Sequence, residues 1–314
     1  MTIVRRWGLA WTLGVAAVLI IGPLILSPVL RSEVFGDSAV LLLISWIPML
    51  VACVVAWGLS RGLGRRDELD RRVVGALDGH PLNRELLWQG LMLIGFIPSM
   101  MLISGVLRVY GEETGTTPDL AMSASLVSRL LFLFAIPLLI LDRSGITVEG
   151  KGTGMPAIAL GMSEPWRWLG LAPVALAVGM MGYLILPHIG LPPPSLTLYA
   201  MLFAFALIAV CEEIFFRGMM QTRLEILLGR WGGIVITSAV FALTYALIQP
   251  YDAVAQLPPE HDLTHDIGMA MLTYGAASVL YGYLWACFRN TWINVLMRLA
   301  VFVLILPPDL QIGI

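Results

Sequence analysis

The chain has 314 residues, of which 58% are hydrophobic and 13% charged, and its net charge is −2. A soluble domain is about 45–50% apolar and about 25% charged, so this apolar surplus has to face lipid rather than a water-soluble core. The near-neutral charge offers no footing for nucleic acid. Cys53, Cys211 and Cys287 are scattered through apolar stretches, which excludes a disulfide framework and any metal-type cysteine spacing.

Apolar runs near the spanning length of about 20 residues fall at 7–30, 39–60, 86–107, 120–141, 168–187, 196–216, 231–249, 267–288 and 292–306. The first follows Arg5 and Arg6 and imitates a signal peptide. It is too long for an h-region and no small-residue cleavage site follows, so it reads as a retained span. Only helices and closed barrels satisfy backbone polar groups in lipid, and these runs are continuous rather than alternating. The fold expected is therefore all-α: a polytopic bundle of about nine transmembrane helices. Between runs, 61–85 carries Asp67/Arg71 and Glu68/Arg72 at helical ion-pair spacing and predicts a solvated surface helix. The segment around Gly145, Gly150, Gly152, Gly154 and Pro156 predicts a flexible linker.

The positions of the basic residues, 18 Arg and Lys151, test this division. With the N-terminus in the cytoplasm, fifteen lie on that side, Arg31 and Arg108 lie opposite, and Arg129 and Arg298 fall within spans. Such a split matches the positive-inside rule. The Arg-rich, Lys-poor usage suits a bacterial cell membrane.

The most informative stretch is Val210-Cys211-Glu212-Glu213-Ile214-Phe215-Phe216-Arg217-Gly218, where two carboxylates close an apolar run. Ionisable groups at membrane depth are costly and are usually functional or paired. Glu213 and Arg217 are four apart and predict a pair, while Glu212 points about 100° away. The plainer reading is a helix end at the cytoplasmic interface. In Ser128-Arg129-Leu130 the arginine either snorkels to the interface or partners a buried carboxylate.

The Glu212-Glu213-x-x-x-Arg217-Gly218 pattern resembles the first motif of the CPBP family, the CAAX-processing and bacteriocin-processing intramembrane endopeptidases. The lead-in Leu160-Gly161-Met162-Ser163-Glu164-Pro165-Trp166 is similar to the family's domain start. Phe241, Gly275, Gly282 and Arg289-Asn290-Thr291-Trp292 follow in the family's order. The resemblance runs from about Leu160 to Leu306. It implies a four-span region at 1–141, a cytoplasmic linker at 142–159 and a five-span CPBP-like domain at 160–314. It also implies peptide-bond hydrolysis, with Glu212 as the base that activates water and Glu213 and Arg217 orienting it. Neither metal nor cofactor is implied. Partners would be membrane lipids and a membrane-protein or peptide substrate.

The departures from the family fall on the catalytic positions. Its Phe-x-x-x-His motif reads Phe241-Ala-Leu-Thr-Tyr245 here, and its later His and Asn or Asp positions are Arg298 and Phe302. Tyr245 can hold water and Arg298 can donate to an oxyanion, but a guanidinium is no acid or base at ordinary pH and Phe302 offers neither function. The expectation is a lost or altered activity, with Arg298 paired to Glu212. The alternatives are an active endopeptidase, a non-catalytic member binding a partner, and a transporter lined by Glu212, Glu213, Arg129 and Arg298. The last calls for inverted repeats and polar residues through several spans, and neither is found. His261 and His265 have a spacing that suits a metal on a helix, without an intervening Glu; a polar loop is the plainer reading.

Overall fold

The computed structural model describes residues 2–62, 64–114, 117–143, 154–161, 164–249, 252 and 262–306. Among these every regular element is helical. The chain opens with α1 (Thr2–Leu26) and turns by 103° into α2 (Pro28–Phe35). Ser27 fixes the turn: its hydroxyl accepts from the Leu30 N–H at 3.3 Å, and Pro28 follows at the first helical position, where its missing N–H costs nothing.

The long helices α3 (Asp37–Gly62) and α5 (Leu82–Thr114) flank the amphipathic α4 (Arg66–Ala76). They are mostly lipid-facing, with Leu41, Leu50, Val54, Leu91, Ile94 and Leu102 exposed. The expected surface helix is α4, but its ion pairs differ from the spacing-based ones. Arg72 reaches Glu164 at 2.7 Å, and Arg71 donates to the Asp67 carbonyl at 3.3 Å.

The fourth span begins as α6 (Thr117–Arg129) and continues through π-helical turns at Leu130–Ala135 and Leu138–Arg143. Part of the expected flexible linker is an ordered helix, α7 (Met155–Leu160). Its Met155 and Ala159 are buried with Val73, Leu77 and Trp285. Then come α8 (Leu171–Ile189), α9 (Leu196–Glu213), a π-helical stretch Ile214–Gln221, and α10 (Thr222–Leu228). The bundle closes with α11 (Arg230–Ile248), α12 (Leu263–Ala270), a π turn Met271–Gly275, α13 (Ala276–Phe288) and α14 (Thr291–Ile305).

Seven helices have the length and apolarity of a membrane span, and the α1–α2 pair makes an eighth. The ninth expected span, α14, has 15 residues and reaches only about 22 Å, short of a hydrocarbon core about 30 Å thick. It is delimited by a polar cap, the Asn290 side chain accepting from the Trp292 N–H at 3.1 Å, and in the sequence by Pro307-Pro308.

A second departure from expectation bears on the site. The run ending at Glu213 does not stop there: the helix passes through the π turn and runs to Leu228 as one 31-residue span. Arg217 and Arg223, expected in a cytoplasmic segment, are fully buried within the protein. Two of the fifteen arginine and lysine positions behind the orientation argument are thus structural, and a strong bias remains in the others. Glu212 and Glu213 sit near the middle of this span rather than at an interfacial helix end.

The two most enclosed spans are Arg230–Ile248 and Leu263–Phe288, each 67% buried against 22% for Leu82–Gly111. They form the centre on which the other helices pack. One glycine is decisive here. A Cβ on Gly282 would meet the Gln221 side-chain oxygen at 2.7 Å, so only glycine lets α13 approach closely enough for Gln221 to donate to the Gly282 carbonyl at 2.8 Å. On the lipid side the Trp46 indole donates to the Leu272 carbonyl in the Met271–Gly275 π turn at 2.9 Å, which satisfies a backbone acceptor where no water reaches it.

Candidate functional site: a buried charge cluster at mid-membrane

The Glu-Glu helix end carries its two carboxylates in different directions. Glu212 is 1% exposed. Its Oε1 accepts from the Arg129 Nε at 2.5 Å and its Oε2 accepts from the Arg298 Nη2. The Tyr245 hydroxyl lies 3.0 Å from both oxygens and shares its single proton between them. Glu213 faces another set. Asn294 donates to its Oε2 at 2.8 Å, Arg298 Nη1 lies 3.4 Å from its Oε1, and Arg217 Nε lies 3.4 Å from its Oε2. That last contact is an ion pair without hydrogen-bond alignment, because the π turn carries Arg217 off the straight i, i+4 line. Arg217 also donates to the Ser278 hydroxyl at 2.8 Å.

Arg129 sits on the last turn of α6 and is entirely buried. Beyond Glu212 it holds Asp252, with Nη2 2.5 Å from Oδ2, and it donates to the Ser125 carbonyl at 3.1 Å. The Ser125 hydroxyl donates to the other Asp252 oxygen at 2.6 Å. So Arg129 partners buried carboxylates and does not snorkel. Arg129, Arg217 and Arg298 balance Glu212, Glu213 and Asp252. In a low-dielectric interior an unbalanced charge costs several kcal/mol, and breaking a buried pair typically costs about 3–5 kcal/mol, which is why the six occur together.

Aromatic faces line the cluster. Arg129 lies over Phe96 and Tyr245, Arg217 over Phe241, and Arg298 over Phe205 and Phe241, all between 5.3 and 5.7 Å. Tyr245 stacks on Tyr274 at 4.4 Å. Phe302 stacks on Phe205 at 4.1 Å, filling with hydrocarbon the place where the resemblance calls for Asn or Asp. Beside the cluster is a cavity of about 190 Å³, bordered by Phe205, Phe241, Tyr281 and Val301. Tyr245 and Arg298 line it, and neither glutamate does.

Residues 194–303 match the family model described as type II CAAX prenyl endopeptidase, Rce1-like. The chain carries an Rce1-like domain. It is accordingly an integral membrane protein of the CAAX-protease kind. Neither the curated proteins nor the solved structures contain a match to the chain.

All five residues expected at the site, Glu212, Glu213, Arg217, Tyr245 and Arg298, converge in the Rce1-like domain. Arg129 comes from outside the matched segment. Sequence reasoning missed Asp252 and Asn294. Asn294 had a legible signal, since it lies four residues before Arg298 and shares its helix face. Asp252 follows the end of α11 and had none.

The histidine pair does not bear on this site. His261 lies outside the described residues, and His265 contacts Glu33 at 3.0 Å and Asp266 at 3.4 Å. Among the described residues no group of three or more His, Cys, Asp or Glu is arranged to hold a metal.

Proposed function

We propose that this protein is a non-hydrolytic member of the CAAX-protease fold that binds a segment of a membrane protein, or a peptide, without cutting it. One observation carries the reading. Every direction from which water would hydrogen-bond to Glu212 is taken by Arg129, Arg298 or Tyr245. A general base needs a free lone pair within about 2.6–3.2 Å of the water it activates. Glu213 is similarly engaged by Asn294 and two guanidiniums. The aromatic-lined cavity next to Arg298 keeps room for an apolar side chain. What borders it is a cation and a phenol, not a carboxylate.

The competing reading, an active glutamate endopeptidase, draws on the family match. It requires Arg298 to leave Glu212 when substrate enters. The deciding experiment reconstitutes the full chain in lipid nanodiscs with fluorescence-quenched membrane and CAAX-type peptides. The expected result is no cleavage that distinguishes wild type from Glu212→Gln. Cleavage abolished by Glu212→Gln sinks the non-hydrolytic reading.

The same proposal takes residues 160–314 as the binding unit, with the four-span region 1–141 supplying Arg129. It places the protein in a bacterial inner membrane with the N-terminus in the cytoplasm, on the strength of the arginine bias. Topology reporters fused at the first loop and at Ile314 test the orientation, and a first loop found in the cytoplasm overturns it.

A further inference from the structure

A second cluster of charge lies away from Glu212, where three spans end on the arginine-rich side. A cavity of about 490 Å³ opens between α4, α10 and the start of α11. Asp70, Glu225, Arg230 and Arg289 line it. The two carboxylates are already engaged. Asp70 accepts from Arg289 at 3.1 Å and from Arg230, while Glu225 accepts from Gln221 at 2.7 Å and from Arg289 at 2.5 Å.

The guanidiniums are not equally satisfied. Arg289 is 3% exposed, and only its Nη2 is used in these pairs; its Nε and Nη1 are buried and make no hydrogen bond. A buried donor without an acceptor is costly, and here two sit on one residue at a cavity wall. Arg66 stands close enough to repel Arg230, so three guanidiniums face two carboxylates.

The start of α11 adds donors of a different kind. Gly229 precedes this 19-residue helix and provides no side-chain cap, and the first backbone bond across the turn is Gly233 N–H to the Gly229 carbonyl at 2.9 Å. The N–H groups of Arg230, Trp231 and Gly232 therefore have no intrahelical acceptor. Gly229 to Gly232 border the same cavity. Helix dipole, free N–H groups and excess guanidinium all favour an anion at one place.

We propose that this cavity binds a phosphate group at the membrane interface. A tetrahedral anion offers enough acceptor oxygens to meet both the Arg289 donors and the helix end, which a planar carboxylate does not. The rim favours a phosphate attached to lipid. Trp231, Ile226 and Val74 are 49%, 38% and 54% exposed, giving acyl chains an apolar path away from the charged floor. The site is independent of the chemistry at Glu212.

Equilibrium binding to the purified full chain in nonionic detergent tests this, with inorganic phosphate, phosphatidylglycerol and phosphatidylcholine as probes. Phosphatidylglycerol binding that inorganic phosphate does not displace identifies a lipid phosphate, whereas binding of inorganic phosphate alone identifies a soluble one; either supports the site. Arg230→Gln is expected to weaken the bound probe about tenfold, the effect of losing one hydrogen bond to a charged group. Val74→Glu places a carboxylate at the exposed rim without breaking any pair. It is expected to weaken binding similarly while melting as wild type does, which separates lost binding from lost folding. Equal affinity for all three probes, or affinities unchanged in both variants, overturns the proposal.

Discussion

The cluster at Glu212 and the cluster at Arg289 are built from the same side chains and end in opposite states. At mid-membrane, three arginines meet three carboxylates, and both oxygens of Glu212 are occupied. At the interface, carboxylates are saturated while guanidinium and helix N–H donors are left over. Position explains the difference. Deep in the bilayer a surplus charge has no solvent to fall back on, so the set closes on itself. Near the headgroups water, salt and phosphate are at hand, and an open set of donors is tolerable.

The comparison breaks most sharply at Arg129. Arg129→Ala strands both Glu212 and Asp252. It is expected to destabilise the protein by about 3–5 kcal/mol, read as a large drop in melting temperature in detergent. A loss below about 1 kcal/mol, the size of an exposed pair, means that the mid-membrane set is not closed.

Arg298→Ala is expected to cost somewhat less, because Arg129 and Tyr245 still hold Glu212. Here the sign of the coupling matters more than the size. Glu212→Gln combined with Arg298→Ala should recover part of the loss, since the stranded charge is removed along with its partner. Strictly additive melting shifts would show that the two residues do not interact.

The smallest effect is expected at Arg230, whose pair with Asp70 is about one-third exposed. Arg230→Ala should cost no more than about 1 kcal/mol. The cost should shrink as salt is raised from low to physiological, where the screening length falls to about 8 Å. The Arg129 cost should be indifferent to salt. A salt-dependent Arg129 effect would mean that water reaches the mid-membrane cluster.

Much of this was legible in the chain before folding. Continuous apolar runs dictated helices, and the cost of Arg298 inside one of them pointed to a carboxylate partner, which the structure supplies as Glu212. What could not be read was where the Glu-Glu helix ends. Phe215-Phe216-Arg217 looks like an interfacial stop, because hydropathy records a charge without recording that Glu213 and Ser278 will cover it. Arg217 and Arg223 were therefore counted with the loops. Asp252 was invisible for a related reason: a lone acid beyond a helix end looks solvated until Arg129, 123 residues away, is folded against it. Helix existence follows from composition along the chain, whereas charge pairing depends on contacts between distant segments.

The widened turn at Ile214–Gln221 has one more consequence. An i→i+5 turn holds one residue more than an α turn. Deleting a residue there would leave ample length to cross the bilayer, yet rotate everything beyond it by about 100°. Gln221, Arg223 and Glu225 would swing away from Gly282, Glu85 and Arg289, the partners they meet now. A homologue with a plain α turn at this place thus superposes on both halves of the span only through a one-residue gap inside the helix, where alignments of membrane spans seldom admit one.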